Sequence, residues 1–393
     1  MNRSHRLTLL LGLLAGARTF AAVLPDDRAD VLYHRYEGGG VTIDGPSVLV
    51  RRKFLDRVSV SAGYYVDMVS SASIDVKLAA SPYREDRTQY SLGVDYLRGK
   101  STYSLGFIDS RESDYIADTA IATVSQDLFG DLTTISFSYR RGWDQVWRNV
   151  RDPVTGHRAH DPGFAERADR RGYAVDVSQI LTRNMIVGAT LEVVTDEGYL
   201  NSPYRSVRYL DPGNAGRGFG LAREIYPHTR TSNATALRAK YFLSYRAALE
   251  GRGRFYSDTW GVRAWEAELG YTHPAWKKWI FDATYRYYTQ QAADFYSDLL
   301  PRRGFQNFQA RDKELASFSS HTFGLGASYQ FTAPRVRWIE RSTLNLRYNH
   351  MMIDYDDFRD ATATDPARGI LPGGEPLYSL DADVFQLFLS IWF

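Results

Sequence analysis

The feature that most restricts the fold of this 393-residue chain is a series of segments with period-two apolar alternation. The links between these segments alternate between short and long. Period two is the spacing of β-strands, and it recurs in VSVSAGYYVDM, TQYSLGVDYL, STYSLGF, LTTISFSY, FGLGASYQF and LNLRYNH. Short links are predicted at 55–57, 98–100, 129–131, 181–184, 243–246, 273–278 and 332–341. Long polar links are predicted at 69–87, 144–170, 196–230, 290–318 and 354–380, and shorter ones at 37–46, 110–117 and 258–261.

Links that are short at every second position are typical of a transmembrane β-barrel, which has short periplasmic turns and long outer loops. A soluble β-sandwich also alternates apolar and polar residues, but it has no reason to place its long loops at every second turn. The segments predict an all-β fold, a closed antiparallel barrel of about 16 strands. Strands of about 9–13 residues are near the length that crosses a bilayer at a tilt.

The last segment, DVFQLFLSIWF, places Phe385, Leu387, Leu389, Ile391 and Phe393 on one face up to the final residue. In lipid every backbone donor and acceptor must be paired, so the last strand has to pair with the first. We interpret Leu389, Ile391 and Phe393 as an insertion signal that the barrel-insertion machinery recognises. A buried edge strand of a soluble sheet is the alternative.

The amino terminus has the form of a secretory signal peptide. Arg3, His5 and Arg6 precede an apolar run from Leu7 to Ala17, which is shorter than a membrane-spanning helix. We predict a signal peptide at 1–22 and a barrel domain at 23–393, located in the cell outer membrane in contact with its lipid and lipopolysaccharide. The 48 basic and 46 acidic residues leave almost no net charge, which gives no support to a nucleic-acid partner.

Several stretches resemble a family of exported Gram-negative proteins catalogued as domain of unknown function 3570. They include RADVLYHRYEGGGVTIDGPSVLVRRKF, VSVSAGYYVDMVSSASIDV, YSLGVDYLRGKSTYSLGF, TDEGYLNSPYRSVRYLDP, FYSDTWG, RYYTQQAADFYSDLL and RDKELASFSSHTFGLGASY. The resemblance covers nearly the whole chain after residue 22. It implies an outer-membrane barrel and assigns no activity.

Charged residues alternate with apolar ones on four consecutive predicted strands. An Arg or Lys at mid-bilayer costs roughly 2–4 kcal/mol on the lipid face of a barrel, so we predict that these charges face the lumen. Opposite charges would then lie side by side across strands and either set solute selectivity or brace the wall. The nine residues are Arg238, Lys240, Glu250, Arg252, Arg254, Glu266, Glu268, Asp282 and Arg286.

Two predicted outer loops carry candidate ligand residues. Hard oxygen ligands suit calcium, which makes Asp354, Asp356, Asp357 and Asp360 weak candidates for a metal site, although a solvated acidic loop is the stronger interpretation. An aromatic and basic loop could contact an anionic ligand through Arg205, Arg208, Tyr209 and Asp211, or it could simply cover the mouth of the barrel.

No catalytic motif of a known hydrolase, phosphate loop or dinucleotide site occurs in the sequence, so we expect no cofactor. His157 and His160 could ligate a metal only if their loop were helical. His321 and His350 are predicted to face lipid near strand ends. Two functions remain open: a channel for polar or charged solutes, and a structural or docking barrel for a periplasmic or surface partner, which could be redox- or metal-related. An outer-membrane enzyme is the third.

Overall fold

The computed structural model describes residues 23–71, 78, 83–151, 158–214, 216–332, 336 and 338–393. The predicted signal peptide and His157 lie outside these ranges. The strands in chain order are β1 (Arg28–Gly38), β2 (Val41–Phe54), β3 (Val58–Ser71), β4 (Tyr83–Arg98), β5 (Ser101–Arg111), β6 (Tyr115–Leu128), β7 (Thr133–Arg151), β8 (Arg158–Thr182), β9 (Met185–Gly198), β10 (Ser206–Leu210), β11 (Phe219–Arg223), β12 (Thr229–Phe242), β13 (Ala248–Asp258), β14 (Arg263–Ala275), β15 (Trp279–Gln290), β16 (Phe318–Phe331), β17 (Arg341–Arg359) and β18 (Leu377–Trp392). Two 3-10 turns, Ala361–Ala363 and Pro366–Arg368, precede β18. Within the same ranges, no helix is long and apolar enough to cross a membrane.

Sixteen of these strands form one closed antiparallel barrel, which confirms the predicted fold class. The exceptions are β10 and β11, which pair with each other as a hairpin between β9 and β12. The barrel closes where β18 pairs with β1, with Arg28 opposite Trp392 and Gly38 opposite Ala382. The last strand therefore has a hydrogen-bonded neighbour on both sides, β1 and β17.

All seven predicted short links lie between strands at one end of the barrel. We call this the periplasmic end, and we call the end with the long links the outer end, following the usual asymmetry of such barrels. At the outer end the predicted long links are longer than the observed ones. The stretch 144–170 is mostly strand, because β7 runs to Arg151 and β8 begins at Arg158, and β17 continues to Arg359. Beyond the bilayer both faces of a strand meet water, so the apolar alternation is lost while the backbone ladder continues.

The outer surface carries an apolar band between two rows of exposed aromatic residues, the girdles expected at the two membrane interfaces. The band includes Val31, Leu92, Leu105, Leu191, Leu237, Leu269 and Leu325. The row toward the outer end includes Tyr33, Tyr64, Tyr90, Tyr173, Tyr287 and Tyr348. The row toward the periplasmic end includes Phe54, Tyr96, Tyr103, Tyr241, Tyr271, Trp276, Trp279 and Trp338.

Three outer links pack together and have a buried core of their own. We call residues 199–228, 291–317 and 360–376 the mouth loops. One apolar cluster joins Tyr226 of the first loop to Phe295 of the second and to Trp260 of the β13–β14 turn. A second cluster packs Ala316 against Phe358 near the end of β17. Covering these side chains from water stabilises the loops as an ordered layer.

Candidate functional site: the inner wall and the mouth loops

The nine charged residues predicted for the lumen alternate with exposed apolar residues on β12 to β15. Leu237, Leu249, Leu269 and Tyr287 are exposed on the outer surface. Because successive side chains of a strand point to opposite faces, the charged residues between them lie on the inner face of the wall. Their part in selectivity stays a prediction.

The strand register places opposite charges across from one another. Lys240 is opposite Glu250, and its ammonium lies 3.4 Å from that carboxylate. Arg254 is opposite Glu266. Cross-strand pairs of opposite charge stabilise a sheet modestly.

Glu266 and Glu268 lie at the centre of this charged wall. A carboxylate oxygen of Glu266 is 3.8 Å from the guanidinium of Arg252, and the other is 4.0 Å from that of Arg286. Glu268 is opposite Arg252 on β13 and opposite Arg286 on β15. These contacts are long for ion pairs.

Like Glu268, Asp282 forms no ion pair within the part of the chain that the structure describes. It projects over Gly326 of the neighbouring strand, where an added Cβ would be 2.2 Å from the carboxylate. On the next strand, β17, Arg347 lies opposite Gly326. Its guanidinium donates a hydrogen bond to the Thr284 hydroxyl of β15 at 3.4 Å.

Two acidic partners on the wall were missed by the sequence reasoning. Arg238 lies opposite Arg252, and it turns instead across β9 to bind both carboxylate oxygens of Asp176 on β8 at 2.8 Å. Gly188 makes this possible, since a Cβ there would lie 2.6 Å from Nε of Arg238. Arg254 also lies 3.9 Å from Glu192 on β9. Alternation along β8 and β9 places both acids on the inner face, but only the register shows the contacts.

Part of the charged wall is accessible to solvent. Lys240, Glu250 and Arg252 retain 42%, 50% and 46% of their side-chain accessibility although they face the interior of the barrel. Charges that braced a closed bore would be covered by packing atoms. The accessibility shows space for water beside this wall, as the width of a barrel of about sixteen strands permits.

A second inner-face group is buried and connects β1, β3 and β4. Nε2 of His34 is 2.9 Å from Oδ1 of Asp67, the ring of Tyr65 stacks on His34, and the Tyr65 hydroxyl donates to Asp67 at 2.7 Å. Arg87 completes the group with a nitrogen 3.7 Å from Asp67. The His34–Asp67 contact crosses β2 at Gly45, which lies opposite His34.

Arg208 holds the mouth loops together. Its side chain is fully buried on β10, and it donates to Glu375 at 2.5 Å and to Asp298. Arg311 donates to the other oxygen of Asp298 at 3.0 Å. Each mouth loop contributes to this network, and Glu375 is as completely buried as Arg208.

The network spans a large part of the mouth. Five strands lie between β12, which follows the first mouth loop, and β18, which follows the third. On its other side the first loop reaches β7, where the Tyr204 hydroxyl accepts a hydrogen bond from the Asn149 amide at 2.7 Å. The mouth loops therefore connect points spread over ten of the sixteen strands.

A carboxylate pair lies in the same layer. Asp312 forms an ion pair with Arg205, which holds the pKa of that carboxyl below its usual range against the effect of burial. Glu224 is buried and accepts from the Arg311 amide at 2.7 Å and from the Tyr226 hydroxyl at 2.8 Å. Burial, together with the nearby Asp312 charge, raises the pKa of Glu224 to about 7.

The four residues predicted to contact a loop ligand mostly form contacts within the protein. Arg205 and Arg208 are held by the acids just described. The Tyr209 ring lies against Gly220, where a Cβ would be 2.5 Å away. Asp211 accepts from the Gly213 amide in a turn at 3.1 Å. A ligand role for these residues stays a prediction, and for the buried Arg208 the geometry favours a structural role.

The predicted acidic metal loop is corrected by the structure, which does not bring its aspartates together. Asp354, Asp356 and Asp357 belong to β17, where consecutive side chains alternate faces. Asp357 accepts from the Ser317 amide at 2.9 Å, and Asp360 accepts from the Thr362 amide at 2.9 Å. In the described part of the chain the carboxylates close enough to share one ion are those of Glu85, Glu112 and Asp114, which the sequence reasoning did not identify.

The remaining predicted residues have simple surroundings. His160 stacks on Trp147 within the β7–β8 extension. His321 and His350 lie near the tyrosines of the outer row, at 2.8 Å from the Tyr285 hydroxyl and 2.9 Å from Asp383 respectively. Phe393 packs edge-on against Trp338. The insertion role of Phe393, Ile391 and Leu389 stays a prediction.

A family model described as protein of unknown function (DUF3570) matches residues 74–350. No curated protein matches the sequence. Among solved structures, a bacterial polysaccharide outer membrane secretin is similar with 8% identity, covering 94% of this chain and 100% of that chain at a TM-score of 0.49. OmpT of Vibrio cholerae, with loop L8 deleted, has 8% identity, 95% and 100% coverage and a TM-score of 0.41. CymD, a monoaromatic hydrocarbon channel, has 9% identity, 94% and 89% coverage and a TM-score of 0.42.

Proposed function

This chain belongs to the family of unknown function DUF3570, and from the solvent-accessible charges on its inner wall we propose that the protein is an outer-membrane channel for polar or charged solutes. Export by the signal peptide at 1–22 is part of this proposal. The observation that carries it is the accessibility of Lys240, Glu250 and Arg252 on the inner face. A water-filled lumen lined by charged side chains sets which solutes pass.

The charge distribution favours solutes that carry both signs, or small polar ones, over simple anions or cations. Five of the nine predicted wall residues are basic and four are acidic. Contacts such as the 3.8 Å separation between Arg252 and Glu266 are loose. Solute groups of either sign can therefore find a partner on this wall, and discrimination depends on the geometry of the charges.

The mouth loops supply the entrance and its restriction. Their common core, with the buried pair Arg208–Glu375, holds them over the strands from β7 to β18. This ordered layer also favours the second candidate function, a docking barrel whose outer surface receives a partner and whose lumen conducts nothing.

Conductance across a planar bilayer separates the two functions. The channel proposal expects discrete openings of the purified full-length barrel. It also expects Arg252→Gln with Arg254→Gln to shift the reversal potential in a salt gradient toward cations, because two inner positive charges are lost.

The matched control removes two positive charges from the outer surface. Arg35 and Arg111 are exposed and paired with Glu37 and Asp109, so Arg35→Gln with Arg111→Gln should leave the reversal potential unchanged. A folded barrel without openings would contradict the channel and support the docking barrel. Equal shifts in both double variants would show that the charged wall does not set the selectivity of the channel.

A further inference from the structure

Two arginines lie side by side on the outer surface of β7 and β8. Tyr139 is opposite Tyr173, and one step toward the outer end Arg141 is opposite Arg171. The side chains of Phe137, Tyr173 and Val175 are exposed on this surface. By the period of two, both guanidinium groups project from the same face, directly above a tyrosine pair whose rings are 5.2 Å apart.

Within the described residues, one ion pair serves these two positive charges. Directly opposite like charges destabilise a sheet. Arg141 donates to Asp169 at 2.9 Å, yet its Nε is buried without a hydrogen-bond partner. Arg171 forms no hydrogen bond or ion pair in the part of the chain that the structure describes. Two further acids lie two residues farther along the strands toward the outer end: Asp118 is opposite Trp143, and Glu197 is opposite Asp169. Neither acid forms an ion pair with Arg171 within the described residues.

Two other exposed arginines of the outer surface are paired with an acid of their own strand. Arg35 pairs with Glu37 at 3.0 Å, and Arg111 binds Asp109 through two nitrogens. Arg171 differs from these two arginines because it forms no ion pair within the described residues and lies directly opposite a second arginine.

We propose that Arg141 and Arg171 bind a phosphate group of a glycolipid headgroup in the outer leaflet. Two neighbouring guanidinium groups present the donor geometry that suits a phosphate, and basic groups at a membrane interface bind lipid headgroups. The tyrosine pair below lies where the acyl chains begin, and the Trp143 ring, which Arg141 contacts at 5.7 Å, offers a surface for the sugar. The site faces the bilayer and lies outside the lumen, so it is independent of the proposed channel.

The test uses the purified full-length barrel in detergent with three probes: bisphosphorylated lipid A, lipid A with both phosphates removed, and inorganic phosphate. The readouts are lipid retained in native mass spectrometry and the temperature at which the folded band is lost on gels. Wild-type protein should retain the bisphosphorylated lipid and gain thermal stability from it, as a ligand of the folded state must provide. The dephosphorylated lipid should do neither.

Arg171→Gln removes no contact made within the described residues and relieves a like-charge pair. It should therefore unfold at the same temperature as wild type or higher without lipid, yet retain about tenfold less of the bisphosphorylated lipid, the loss expected for charge-assisted hydrogen bonds. Arg171→Lys, which keeps the charge and loses the fork of donors, should retain an intermediate amount. Arg111→Gln is the matched control and should behave as wild type.

Three outcomes would overturn the site. One is equal retention by Arg171→Gln and wild type, and another is equal retention of the dephosphorylated lipid. The third is stabilisation by inorganic phosphate as large as that by the lipid, which would show a soluble-anion site.

Discussion

Replacing Arg208 by methionine should release the mouth loops. In the native protein this guanidinium and the Glu375 carboxylate are both fully buried, and methionine fills similar space without charge. Removing one partner of a buried ion pair costs about 3–5 kcal/mol, because the other charge remains buried and uncompensated. Asp298 keeps a partner in Arg311, at 3.0 Å, so the cost falls mainly on Glu375. Such a cost shifts the ratio of closed to open loops by roughly a hundredfold to a thousandfold or more.

Hydrogen exchange of the amides in 291–317 and 360–376 measures this shift directly. We expect loss of protection there in Arg208→Met, with strands β2 to β6 unchanged. The double variant Arg208→Met with Glu375→Gln should regain most of the protection, because no charge is left unpaired. Glutamine can still accept from the Gly373 amide, which donates to this side chain at 2.8 Å. Arg303→Met, at an exposed position of the second mouth loop, is the control and should change the protection little. Unchanged protection in Arg208→Met would refute the reasoning that this network holds the loops.

Two further predictions concern the mouth loops and the inner wall. The pKa of Glu224, raised to about 7 from an unfolded value near 4.5, means that its contribution to loop stability is complete below about pH 4.5 and is lost as the pH rises through 7. Protection of 199–228 should therefore fall between these values, and Glu224→Gln should abolish the slope; an identical slope in the variant would assign it to another group. Gly45→Ala should lower the yield of folded barrel, because its Cβ would lie 2.0 Å from the Val66 carbonyl. Gly251→Ala, whose Cβ would make an ordinary contact at 3.9 Å with Leu269, is the control, and equal yields would contradict the steric argument.

The sequence by itself determined the barrel, because the bilayer enforces simple rules on each strand separately. Apolar side chains must alternate where one face meets lipid, the sheet must close, and turns on one side are short. For the same reason the inner position of Arg252 and Glu266 could be predicted residue by residue. No such rule acts beyond the bilayer, and there the extended strands β7, β8 and β17 were taken for loops.

Only the tertiary structure decided which groups meet. The contact of Arg238 with Asp176 depends on the register between β8, β9 and β12 and on the absence of a side chain at Gly188. No local sequence pattern predicts the register or shows that this glycine is needed. The burial of Arg208 between Asp298 and Glu375 joins segments up to 167 residues apart, so a basic loop that resembled a ligand site became the core of the mouth loops. The alternation fixes the face of a side chain, whereas its partner depends on register and on loop packing, which arise from the whole chain.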